Sequence, residues 1–79
     1  MTFEESLTEK VEQLEKDGYY VIKLINTNKN GIPDLIAIKK GADVLFSEIK
    51  TKSGKLSKIQ EYRQKELEKY GFKTEIFRG

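Results

Sequence analysis

Residues 31–50 read G-I-P-D-L-I-A-I-K-K-G-A-D-V-L-F-S-E-I-K, two apolar runs joined by Lys40, Gly41 and Ala42. β-Branched and aromatic residues bounded by Gly and Pro predict strands over Leu35 to Lys39 and Asp43 to Ile49, with a tight turn between them. Packing fixes a register. Ile38 opposite Val44 and Ile36 opposite Phe46 pairs bulky apolar side chains on one face. Asp34 then falls opposite Glu48, and strand alternation places Lys50 on the face of Glu48. Three charged groups thus gather at one end of an apolar sheet face. A slip of one residue would send Asp34 to the other side.

The rest of the chain wraps this hairpin. Phe3, Leu7, Val11 and Leu14 recur at helical spacing and predict a helix over Thr2 to Asp17. Thr2 and Glu5 have capping-box spacing, early acids suit the positive end of a helix dipole, and Gly18 stops the helix. Tyr19 to Ile25 reads as a strand, apolar on both sides apart from Lys23 and so covered on both. Asn26 to Pro33 is a polar loop whose Gly31 and Pro33 set an extended lead into Asp34. Thr51 to Leu56 is a basic loop around Gly54. Ser57 caps a second helix running to about Tyr70, with Gln60 at capping-box spacing and Ile59, Tyr62, Leu67 and Tyr70 expected on its buried side. Gly71 ends it, and Phe72 to Phe77 is a last short strand. The order helix, strand, strand, strand, helix, strand predicts a single α/β domain over residues 1–79, a small mixed sheet flanked by helices.

Composition narrows the chemistry. Cysteine and histidine are both absent, which removes disulfides, zinc sites of thiolate or imidazole, and Ser-His triads. Any metal must sit on oxygen ligands, as magnesium or manganese does. No apolar run approaches the roughly 20 residues of a membrane span, and the acidic start M-T-F-E-E-S has no signal-peptide pattern. A soluble, cytoplasmic protein is expected. Net charge is +2, yet residues 1–17 hold six acids against Lys10 and Lys16, a local −4 that leaves +6 on the remainder. Lys50, Lys52, Lys55 and Lys58 fall together with no acid among them, which suits a polyanion.

Two carboxylates on adjacent strands facing one way form a site for a hard cation, which a backbone carbonyl such as that of Ile49 would complete. Without a cation the two acids repel, and one of them holds a proton. A divalent ion there neutralises charge developing on a phosphate, and Lys50 adds a cationic donor beside it. Those are the parts of phosphodiester hydrolysis. The bland readings are a Glu48–Lys50 surface ion pair and a Pro33-Asp34 turn. The combination of Pro-Asp, Glu-x-Lys and a basic loop directly after favours the site.

Gly31-x-Pro33-Asp34, Glu48-x-Lys50 and the run Gly54-Lys55-Leu56-Ser57-x-x-Gln60 resemble the virus-type replication–repair nuclease (VRR-NUC) family of the PD-(D/E)xK superfamily, along nearly the whole chain. The resemblance implies a restriction-endonuclease-like core. It implies magnesium, with manganese as substitute, on Asp34, Glu48 and the Ile49 carbonyl, and Lys50 positioning or activating water. It sets Gln60 beside the metal, a role compatible with capping Ser57. It also implies a metal-site glutamate early in the first helix, Glu4 by alignment of the apolar stripe, with Glu5 one residue away. Stand-alone members of this size resemble phage-type enzymes, which implies phage or prophage origin and a structure-specific endonuclease cutting branched DNA such as Holliday junctions as a homodimer.

A thin core and strands apolar on both faces independently favour a second subunit. Lys29, Lys52, Lys55, Ser57 and Lys58 are the expected phosphate contacts, with the N-terminus of the second helix. Two alternatives stand: a restriction-type or single-strand nuclease, and a non-catalytic nucleic-acid-binding module whose acids order the fold.

Overall fold

The computed structural model describes residues 2–41 and 43–79. The chain runs α1 (Phe3–Lys16), β1 (Tyr19–Lys23), β2 (Leu35–Lys39), β3 (Asp43–Lys50), α2 (Lys58–Lys69) and β4 (Lys73–Arg78). The four strands form one sheet in the order β1-β2-β3-β4. The first two pairings are antiparallel, and β4 joins β3 in parallel. A parallel neighbour needs a crossover, and α2 supplies it. This is the predicted α/β order with its mixed sheet. Ala42 of the predicted turn lies outside the described residues.

Both helices start as their cap residues dictate. The Thr2 hydroxyl accepts from the Glu5 N–H at 3.2 Å while the Glu5 carboxylate accepts from the Thr2 N–H at 3.0 Å. Ser57 and Gln60 repeat the arrangement at 3.3 and 2.9 Å. Each box satisfies two donors that a helix start otherwise leaves open. Gly18 and Gly71, just past the C-caps Asp17 and Tyr70, take positive φ.

The core lies between α1 and one face of the sheet. Leu14 of α1 meets Leu35, Ala37 and Ile49, and Leu7, Val11, Tyr19, Val21, Leu45 and Phe77 close around them. Lys10 of α1 reaches across to Glu75 of β4 at 2.8 Å, and Glu75 also accepts from the Ser47 hydroxyl at 3.0 Å. This polar link fastens α1 to the two C-terminal strands.

The opposite face is only partly covered, and three expectations change accordingly. β1 ends at Lys23 instead of Ile25 and is an edge strand covered on one side alone, so Tyr20 is 71% exposed. Ile59, Tyr62 and Tyr70 of the second helix are exposed, because α2 lies chiefly against β4 and leaves the β1–β2 half of this face open. On the α1 side, Phe3 also stays exposed, at the head of the helix stripe. On the covered half, Phe46 and Phe72 meet edge to face at 5.8 Å.

The 26–33 loop is docked on α2. A Cβ on Gly31, whose φ is +78°, would stand 2.8 Å from the Ile59 main chain. Gly41, at φ +102°, has open space around it. Gly41→Ala should therefore cost roughly 1 kcal/mol of backbone strain alone. Gly31→Ala adds a backbone clash and should cost roughly 1–3 kcal/mol more. Urea denaturation of the two variants checks the difference.

Candidate active site

The β2–β3 register is the one that apolar pairing predicts: Ile38 faces Val44, Ile36 faces Phe46, and Leu35 faces Ser47. One step further sets Asp34 against Glu48. Asp34 is fixed at both ends: its carbonyl accepts from the Leu24 N–H at 2.8 Å, and its carboxylate accepts from the Ile49 N–H at 2.7 Å. That second bond takes up a donor of β3 that has no ladder partner ahead of the start of β2, so the sheet itself holds the carboxylate at its rim.

Glu48 and Ile49 take opposite faces. Ile49 enters the α1 core, while Glu48 points to the α2 side and is 2% exposed. One Glu48 oxygen accepts from the Gln60 side-chain amide at 3.4 Å. Gln60 thus touches Glu48 and caps α2 at once, since its other side-chain atom accepts from the Ser57 N–H. The second Glu48 oxygen, Oε1, is buried and has no partner. Burial above all, and then the Asp34 carboxylate beside it, pushes the Glu48 carboxyl up to about 8, and Lys50 opposes the shift. Of the pair, Glu48 is thus the acid whose neutral form the site favours.

An unpartnered buried carboxylate oxygen beside a second carboxylate is a donor set that fits a hard cation. Ile49 adds to it. The Lys50 carbonyl accepts from the Gly79 N–H on the β4 side, so alternation turns the Ile49 carbonyl the other way, towards Asp34. Among the described residues no cluster of three or more acids is close enough to hold one ion. Glu4 nevertheless lines a cleft of about 480 Å³ together with Asp34, Phe3 and Lys23. Glu5 is occupied by the Thr2 cap. Of the two glutamates, Glu4 is the one that lines this cleft.

Lys50 closes β3 on the face of Glu48, and the loop after it carries exposed Lys52 and Lys55. Ser57 and Lys58 follow, also exposed, at the start of α2. Lys29 lies in the 26–33 loop, whose turn is held by Thr27: its hydroxyl donates to the Lys29 carbonyl at 2.9 Å. Two residues absent from the sequence expectations tie these loops down. Arg63 donates to the Asn30 carbonyl at 2.8 Å, and Arg78 donates to the carbonyls of Thr51 and Gly54. Neither belongs to a short motif, and only the tertiary placement of α2 and β4 brings them to the loops.

A Pro-Asp step entering β2, Glu-x-Lys closing β3 and a sheet held between two helices define a nuclease of the PD-(D/E)xK type. Residues 4–79 match the family described as archaeal Holliday junction resolvase (Hjc), and the chain belongs to that family. No curated protein and no solved structure matches the chain significantly.

The Glu48 environment has a pH signature. Its carboxyl rises from 4.5 to about 8 on folding, so between those values the folded state holds the extra proton. That contribution to stability is complete below pH 4.5 and is lost as pH rises towards 8. In EDTA, the stability of the wild type relative to Glu48→Gln should fall across this window by on the order of a few kcal/mol. Urea titrations at several pH values measure the difference.

Proposed function

We propose that the protein is a magnesium-dependent endonuclease that cuts branched DNA, four-way junctions above all, as a homodimer. The observation that carries this reading is the buried, unpartnered Glu48 oxygen beside Asp34, in a chain of the Hjc family. Magnesium, with manganese as substitute, would be held by Asp34, Glu48 and the Ile49 carbonyl, with Glu4 at the edge of the same cleft. Bound there, the ion supplies Lewis-acid stabilisation of the phosphate and a more acidic water.

The remaining work falls to the chain. The Ile49 N–H aims Asp34, and the Gln60 amide fixes the rotation of the Glu48 carboxylate. Lys50 donates to the attacking water or to a non-bridging phosphate oxygen as charge builds. Lys29, Lys52, Lys55 and Lys58, with the Ser57 hydroxyl, hold backbone phosphates, contacts that carry no base sequence. Selectivity for DNA shape follows. The run Gly54-Lys55-Leu56-Ser57-x-x-Gln60 further supports kinship with the VRR-NUC branch of the superfamily.

Opposed cuts in two strands of a junction need two sites related by symmetry, and a second copy provides them. The open half of the sheet supports that occupant: Tyr20, Ile22 and Ile38 form a continuous apolar surface beside the free edge of β1.

Asp34→Asn and Lys50→Ala should each lower cleavage of a four-way junction in magnesium by about 10²-fold or more while binding persists. EDTA should stop the wild type. Normal cutting by both variants would refute the site. Sequence-scrambled junctions of equal shape should be cut alike, with log affinity falling linearly in log salt. Light scattering at micromolar concentration should give the mass of two chains, and Tyr20→Lys with Ile38→Lys should give one.

A further inference from the structure

The loop between β3 and α2 is held from the last strand. Arg78 is the β4 register partner of Lys50, so their side chains stand side by side on the Glu48 face. Its guanidinium reaches over the loop and donates from Nη1 to two carbonyls, Thr51 at 3.1 Å and Gly54. The Gly54 N–H donates to the same Thr51 carbonyl at 3.1 Å, closing a tight turn. The turn is seated against the active site, because a Cβ on Gly54 would stand 3.1 Å from the Thr51 hydroxyl and 3.5 Å from the Lys50 stem. Lys52 and Lys55 flank this turn and are exposed. Their ammonium groups therefore depart from a backbone whose path Arg78 sets.

We propose that Arg78 is a positioning residue for the DNA grip: it shapes the 51–54 turn so that Lys52 and Lys55 present to phosphates beside the site, an inference that rests on the nuclease reading above. Three features favour positioning over a direct ionic role. Arg78 commits Nη1 to two neutral carbonyls within the chain. Both bonds leave Nη1, an atom one bond farther from the backbone than a lysine ammonium, so a lysine at this position falls short of the pair. Lys50 itself remains fixed by the β3–β4 ladder, where its carbonyl accepts from the Gly79 N–H at 3.2 Å. The effect should thus fall on DNA binding and spare turnover.

The experiment compares Arg78→Ala and Arg78→Lys, each alone and in a Lys52→Ala/Lys55→Ala background, for affinity and cleavage of a labelled four-way junction. Arg78→Ala should weaken binding roughly 5–10-fold at moderate salt, with kcat at saturating DNA changed less than about twofold. Arg78→Lys keeps the charge on a shorter stem and should lose most of the same affinity. In the lysine-free background Arg78→Ala should cost nothing further, since the groups it positions are gone. Hydrogen exchange adds a readout without DNA: the Gly54 amide should exchange faster in Arg78→Ala than in wild type while the amides of the β2–β3 ladder hold.

Full recovery by Arg78→Lys would overturn the proposal in favour of direct phosphate contact by charge. So would an undiminished loss in the lysine-free background, or a Gly54 amide that exchanges as in wild type. Wild-type binding to junction DNA with Arg78→Ala indistinguishable from it would overturn this inference alone. Failure of the wild type to bind junction DNA at all would overturn the functional reading and this inference together.

Discussion

The hydrogen bond from the Ile49 N–H to the Asp34 carboxylate is where fold and chemistry meet. It sits one step past the last β2–β3 ladder pair, so it exists only if that register is correct. It closes a backbone donor of β3 left open ahead of the start of β2, and it anchors a charged group against the sheet. Placing Glu48 on the next position of the same face then follows from strand alternation, without a loop having to be shaped for it. A rigid ladder is a precise support for groups that must be held within fractions of an ångström. The cost is local: two acids near each other at a nearly dry rim, one of them keeping its proton.

Burial of Glu48 comes from the far side of the sheet. α2 lies chiefly on β4, yet its first turn reaches Glu48 through Gln60. The residue that caps the helix also orients the acid. The entry of α2 and the geometry of the carboxylate pair are consequently one structural decision. The 26–33 loop joins the same arrangement through Gly31 against Ile59 and Arg63 on Asn30. What the second helix gives up is a buried apolar stripe of its own, and its tyrosines stand outside.

Much of this was legible in the residue order. Ile36, Ile38, Val44 and Phe46 admit one register that pairs large side chains, and that register carries Asp34 to Glu48. Thr2-x-x-Glu5 and Ser57-x-x-Gln60 announce both helix starts by local chemistry. The open face was not legible, because a strand apolar on both sides reads alike whether a helix, a partner or nothing covers it. Tyr20 and Ile22 show that ambiguity, and Ile59, Tyr62 and Tyr70 show it for a helix. Arg63 and Arg78 were invisible for another reason: their partners are backbone carbonyls of distant loops, and no spacing in the chain encodes such contacts.

The parallel pairing of β4 with β3 shapes how the molecule comes together. The three N-terminal strands are joined by short antiparallel links, whereas β4 gains its contacts only after the whole of α2 has been spanned. Closing that longer segment costs more chain entropy than the nearer pairings do. Arg78 and Glu75 ride on that strand, one clasping the lysine-bearing turn and the other gripping the first helix. The carboxylate pair thus depends on the nearer strand pairings and its lysine-bearing surround on the farthest one, so the two can loosen separately.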